Sequence, residues 1–395
     1  MKRLLLMALL PCVLSLNAQQ ALWNQAPVVS PEINADNSVT FRLQAPEAKK
    51  VIITGDFLPA GKMKTPQGEV DIPGYAELAR GDNGVWEFTS AALSPELYSY
   101  SFVVDGMRIN DPSNVYRMRD VSTISDIFII DGDNASRYMV KDVPHGNVAK
   151  VWYKGDKAGK DRRMTVYTPA GYEKGDRDYP VFYLLHGMGG DENAWQELGR
   201  AAQILDNMIA AGEVEPMIVV MTNGNMAQDA APGEGAGASR QPTFNLPHTM
   251  DGYFETAFPD VVNYIDSNYR TRKDKHSRAI AGLSMGGFHS MQISKEYPDM
   301  FDYVGLFSAA IMPREGVDSP IYKDIDAKLK TQFDKKPALY WIGIGDKDFL
   351  YQANKEYRQK LDTNGYSYTY YESPDGHIWR NWRVYLTKFL PLLFK

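Results

Sequence analysis

Ser284, His377 and two aspartates, Asp346 and Asp348, stand in the chain in an order that nucleophilic catalysis by a serine can use. The serine lies in Gly282-Leu283-Ser284-Met285-Gly286, where an apolar run that reads as a buried strand gives way to a helical pattern lasting to about Tyr297. A turn that sharp strains the serine backbone and lifts its hydroxyl clear of the sheet, as in a nucleophile elbow. Glycine is the cheapest residue on either side, because a Cβ there would strike the neighbouring strand or the start of the helix. A serine hydroxyl attacks poorly until a base takes its proton and a third group fixes that base. After Ser284 the histidines are His289, on the serine's own helix, and His377, in the loop Ser373-Pro374-Asp375-Gly376-His377. His377 is therefore the expected base. The acid is expected after the strand Leu339 to Ile344, in Gly345-Asp346-Lys347-Asp348-Phe349-Leu350. Asp348 is preferred, since Phe349 and Leu350 can bury a carboxylate that orients an imidazole. Asp346 remains the alternative, although beside the turn it suits water or a helix cap better.

Acyl transfer also needs hydrogen-bond donors aimed at the developing oxyanion, each worth about 3 kcal/mol. The N–H of Met285, next after the serine, is one candidate. Gly187 and Met188 are the others, in the glycine-rich turn Leu185-His186-Gly187-Met188-Gly189-Gly190-Asp191 that ends a hydrophobic strand. These glycines do not form the dinucleotide pattern G-x-G-x-x-G. His186 reads as a structural hydrogen-bonder. Met188, Trp195, Phe244, Met285, Phe349 and Trp379 can line an apolar slot for an aromatic acyl group. The long, aperiodic segment Asn223 to Asp251 is the natural wall or lid of that slot. Such chemistry asks for no cofactor and no metal.

These residues need a scaffold, and the pattern supplies one. Beyond about residue 150 the chain alternates strand-like runs (Met164 to Thr168, Val181 to Leu185, Met217 to Thr222, Ala279 to Leu283, Tyr303 to Phe307, Leu339 to Ile344) with helical ones. The helical runs are Asn193 to Ala211, Tyr253 to Asn268, Gly286 to Tyr297, Leu350 to Thr363 and Trp379 to Phe389. That predicts an α/β domain of the α/β-hydrolase type, a mostly parallel sheet with helices on both faces and the site at the carboxyl ends of its strands. From about Val28 to Val143 short alternating strands separated by turn residues, Asp105-Gly106 among them, predict an all-β sandwich. Met1-Lys2-Arg3, the apolar run to Leu16 and Leu16-Asn17-Ala18 read as an export leader. The expected division is a leader over 1–18, a sandwich over 26–143, a linker over 144–150 and a catalytic domain over 151–395. The only cysteine, Cys12, lies in the leader, so the exported chain has no thiol for a disulfide, a nucleophile or a metal. A net charge of -6 without a long basic run argues against nucleic acid as a partner, and no segment is expected to span a membrane.

Residues from about 150 onward resemble the esterase D group, in particular the feruloyl and acetyl esterases of carbohydrate esterase family one. The matching stretches are Met164 to Tyr172, Leu185 to Trp195, Arg278 to Gly287, and Gly376-His377 followed by Trp379 and Trp382. The resemblance implies an α/β-hydrolase fold, Ser284 as nucleophile, His377 as base, Asp348 as acid and the amides of Met188 and Met285 as oxyanion donors. It also implies an exported enzyme acting on feruloylated or acetylated polysaccharide. Asp375 departs from the family, which often has a second glycine there, and leaves the shape of the histidine loop open. The front of the chain resembles the immunoglobulin-like carbohydrate-binding modules related to the isoamylase N-terminal domain, on Phe41 to Ala48, Gly55-Asp56-Phe57, Gly84 to Phe88 and Tyr98 to Gly106. Trp86 in that region is expected to be core more than a sugar platform. The alternatives are an acetyl xylan esterase, an enterochelin-type siderophore esterase and, in another class, an inert polysaccharide-binding protein.

Overall fold

The structure, a computed structural model, describes residues 28–65, 68–157, 159–238, 241–244, 246–313 and 316–395. The expected leader over 1–18, with Cys12, lies outside the described residues. From residue 147 the chain builds an eight-stranded sheet. Its strands are β1 (Asn147–Gly155), β2 (Lys160–Thr168), β3 (Val181–Leu185), β4 (Ile218–Thr222), β5 (Arg278–Leu283), β6 (Tyr303–Phe307), β7 (Leu339–Gly345) and β8 (Thr369–Ser373). They lie in the order β1-β2-β4-β3-β5-β6-β7-β8. Pairing is antiparallel for β1 with β2 and β2 with β4, and parallel from β4 across to β8. Every residue of β3, β4, β5 and β6 is buried, which is why these strands read as unbroken apolar runs.

Alternate side chains serve two cores. Val181, Tyr183 and Leu185 point into one packed by helices α3 (Tyr253–Asn268), α4 (Met285–Glu296), α5 (Ile325–Asp334) and α6 (Tyr351–Thr363). Phe182 and Leu184 point into the other, closed by α1 (Ala194–Glu197), α2 (Ala201–Ala210) and α7 (Trp379–Phe389). Each fully buried side chain of this size contributes about 1.5–3 kcal/mol. The helix expected over Asn193 to Ala211 is broken between Glu197 and Ala201, where Arg200 takes a left-handed φ of 55°. The linker expected over 144–150 also needs correction: residues 147–150 pair with residues 165–168 of β2. This is an outer strand with most side chains in solvent, so it carries no apolar run to betray it.

The N-terminal region is all β. A four-stranded and a six-stranded sheet share one core, in which Phe41, Leu43 and Trp86 of the first meet Ile53, Tyr100, Phe102 and Phe128 of the second. Trp86 is 7% exposed and donates its indole N–H to the Ala45 carbonyl at 2.9 Å, which makes it core. Leu97, Ile127, Ala135 and Tyr138 of this region join the core beneath α2 and α7, and Arg383 of α7 reaches Glu96 at 3.1 Å. Among the described residues, no helix is long and apolar enough to cross a membrane.

Candidate active site

Ser284 sits between β5 and α4 with φ 53° and ψ -113°, a conformation costly for a non-glycine residue. Three backbone bonds hold it there: Ser284 N–H to the Phe307 carbonyl at 2.9 Å, and the N–H groups of Phe288 and Ala310 to the Ser284 carbonyl at 3.0 Å each. The flanking glycines are sterically required. A Cβ on Gly282 would lie 2.5 Å from the Gly286 carbonyl carbon, and one on Gly286 2.4 Å from the Leu185 carbonyl oxygen.

His377 follows β8. Its loop is pinned from α7 by the Asn381 amide, which donates to the carbonyls of Pro374 and Gly376 at 2.9 Å each. Asp375, the departure from the family pattern, has φ 72°, a left-handed position that Asp tolerates better than most residues. Beyond β7, the Asp348 side chain is fully buried and accepts from His377 Nδ1 at 3.0 and 2.9 Å. An ionised carboxylate only accepts, so Nδ1 carries the proton and Nε2 keeps its lone pair. The Leu350 N–H fixes the same carboxylate at 2.9 Å. Asp346 is exposed, with its N–H on the Ser373 carbonyl, and among the described residues it makes no hydrogen bond to His377. Phe349 is itself 75% exposed and lies on the His377 ring at 4.6 Å.

Ser284 and His377 open onto one cavity of about 620 Å³. Among the described residues, no hydrogen bond joins the serine hydroxyl to His377; in enzymes without substrate such contacts are often long. Gly187, Met188 and Met285 line the cavity. A Cβ on Gly187 would come 2.4 Å from Leu283 Cδ1 and 3.4 Å from Ser284 Cβ, which measures how closely this turn approaches the serine. The Gly187 carbonyl is tied down by Gly190 N–H at 3.1 Å and by His186 Nδ1 at 2.7 Å. Because a trans peptide sets its N–H opposite its carbonyl, those bonds also fix the direction of the Met188 N–H. The second nitrogen of His186 accepts the Gly224 N–H at 2.8 Å, and burial lowers this imidazole to about 4, so it is neutral.

Phe244, Phe349 and Trp379 line the cavity, Phe244 54% exposed. Trp195 does not. It is 1% exposed, donates to the Leu185 carbonyl at 2.8 Å and packs on Phe307 and Trp379, as a core residue. The first part of the segment 223–251 is bolted down rather than loose: Arg162 donates to the carbonyls of Asn223, Met226 and Gln228, and buried Glu192 accepts from Asn223 and Ala231. Arg119, Asp120 and Val121 of the N-terminal region also line the cavity, beside Met250, Glu197 and Trp382. Trp382 belongs to the sequence motif that begins at Gly376-His377 and Met250 to the expected slot wall, but Arg119, Asp120, Val121 and Glu197 were missed, and nothing in their local pattern marks them.

Residues 155–393 match the model of the Esterase family, described as "Putative esterase". A protein of Xylanibacter ruminicola named endo-1,4-beta-xylanase/feruloyl esterase is 32% identical over 381 residues, covering 94% of this chain; the chain spans 47% of that protein's length. A ferulic acid esterase of the anaerobic fungus Anaeromyces mucronatus shares the fold with a TM-score of 0.53 at 24% identity, over 71% of this chain and 97% of its own. The enterobactin esterase of Shigella flexneri does so with a TM-score of 0.59 at 16% identity, over 90% of this chain and 92% of its own.

Proposed function

The chain belongs to the Esterase family, and we propose that it is a serine carboxylic-ester hydrolase that releases feruloyl groups esterified to arabinoxylan, through an acyl-enzyme on Ser284. The observation that carries the reading is that Ser284 and His377, set after different strands, face one cavity, with buried Asp348 holding His377 by its Nδ1. His377 Nε2 takes the Ser284 proton as the oxygen attacks the ester carbonyl. The N–H groups of Met285 and Met188, with Gly187 shaping the turn, stabilise the tetrahedral oxyanion. His377 then gives the proton to the departing sugar hydroxyl. Water, deprotonated by His377, attacks the acyl-enzyme and releases the acid and Ser284. Asp348 holds the imidazole tautomer and stabilises the imidazolium throughout. Phe244, Phe349 and Trp379 suit a planar aromatic acyl group, which supports a feruloyl substrate over acetyl. The leader over 1–18 carries the enzyme out of the cytoplasm to its polymeric substrate.

Rates on feruloylated arabinoxylan oligosaccharide, acetylated xylan and ferric enterobactin, for the wild type and Ser284→Ala, test the proposal. Fastest turnover of the feruloyl substrate, lost in Ser284→Ala, is expected. Preference for either other substrate replaces the acyl assignment. Binding to insoluble glycan with no turnover and no fluorophosphonate labelling of Ser284 leaves an inert binding protein.

A further inference from the structure

A hairpin of the N-terminal region ends in the cavity that holds Ser284. Strand Arg117–Asp120 pairs with Thr123–Ile130, with Asp120 facing Thr123, so Val121 and Ser122 make the turn. Val121 has φ 50°, a left-handed backbone that a β-branched residue adopts only at a steric cost and that hairpin turns normally give to glycine. Such strain persists where the surroundings over-determine it. Here Arg119 does so, donating Nη1 to the Val121 carbonyl at 3.0 Å and Nη2 to the carboxylate of Asp191. Val121 in turn covers the catalytic turn: a Cβ on Gly189 would stand 2.8 Å from Val121 Cγ2.

Asp191 is 2% exposed, and its other oxygen accepts the Asn193 N–H at 2.9 Å. Its neighbour Gly190 donates to the Gly187 carbonyl, in the peptide whose N–H belongs to Met188. A shift of Asp191 therefore tilts that amide. We infer that the N-terminal hairpin is part of the catalytic apparatus, with Arg119 a positioning residue that acts through Asp191 to aim the Met188 N–H at the oxyanion. The inference rests on the serine-esterase reading of Ser284 and is indifferent to which acyl group is removed.

Arg119→Lys keeps the charge, but one ammonium cannot replace the planar guanidinium that spans Val121 and Asp191. Arg119→Met combined with Asp191→Asn removes both charges and leaves no buried carboxylate unpaired, which protects folding if the lysine variant is unstable. Each is assayed in the full chain with 4-nitrophenyl acetate and methyl ferulate, alongside inhibition by phenylboronic acid, which forms a tetrahedral adduct on the serine, and by ferulate. A misaimed oxyanion donor lowers kcat roughly 10- to 100-fold with KM nearly unchanged. Affinity for the boronate should fall in parallel while that for ferulate holds. Wild-type kcat in both variants, a loss confined to KM, or an equal loss of boronate and ferulate affinity overturns the inference. A wild type that cleaves the acetate and not the ferulate refutes the feruloyl proposal alone and leaves the brace measurable.

Discussion

Two acid–histidine pairs stand in this domain, one on the loop after β8 and one between α3 and α4, and their shortest hydrogen bonds are the same length. His377 meets Asp348 at 2.9 Å, and His289 meets Glu255 at 2.9 Å. The first histidine is 17% exposed in its side chain and faces the cavity; the second is 1% exposed, wedged against Phe254 and Phe288, and its acid is fully buried. Glu255 also accepts from the Tyr322 hydroxyl at 3.0 Å, and burial first, then the carboxylate, raises that phenol far above its usual range. A carboxylate on an imidazole is thus no mark of catalysis by itself. What separates the pairs is access: one imidazole opens onto the cavity that Ser284 also lines, the other is a polar strut between α3 and α4.

The sharpest way to break that comparison is to remove one member from each side. Ser284→Ala or His377→Ala should lower kcat on 4-nitrophenyl acetate by about 10⁴- to 10⁶-fold while leaving the urea midpoint nearly in place. His289→Ala should do the reverse, costing roughly 3–5 kcal/mol of unfolding free energy by leaving buried Glu255 with the Tyr322 hydroxyl in place of its imidazole, and changing kcat less than tenfold in the protein that stays folded. If His289→Ala abolishes turnover in a protein with wild-type stability, the buried pair is catalytic and the distinction collapses.

The acids sharpen the same contrast at a smaller scale. Asp348→Asn keeps the shape but lets the imidazole take the wrong tautomer, and should lower kcat by about 10³- to 10⁴-fold. Asp346→Asn, two residues away and exposed, should leave kcat within twofold. Equal losses in the two variants would mean that chain position, not the contact with His377, has been read as function.

How much of this site is legible in the sequence depends on which physics is local. The elbow at Ser284 is written into a few residues, because the glycines answer to contacts between near neighbours. The central strands are legible because burial on both faces admits mostly apolar side chains. Legibility fails where a residue's role depends on what packs over it from far along the chain. The edge strand Asn147–Gly155 shows most of its side chains to water and looks like a linker. Trp195 has the type of a pocket residue and the surroundings of a core one. Arg119 sits 72 residues before Asp191, and their meeting is fixed only when the two regions share the core around Ile127 and Trp195.

His186 gives the smallest effect and the finest test, because it is a buried histidine with no acid among its hydrogen-bond partners. Its nitrogens are used by the Gly187 carbonyl and the Gly224 N–H, and burial, the largest cause, lowers it from 6.5 to about 4. The folded chain therefore holds it neutral at pH values where the unfolded chain binds a proton. Its contribution to stability is complete above pH 6.5 and is lost as the pH falls from there toward about 4. Urea midpoints measured between pH 7 and 5 should decline, and His186→Asn, whose amide can still donate to the Gly187 carbonyl, should flatten that decline while lowering stability at pH 7. A slope unchanged by the substitution would mean that other groups carry the acid sensitivity, and that a histidine held by peptide groups alone titrates no differently from one in water.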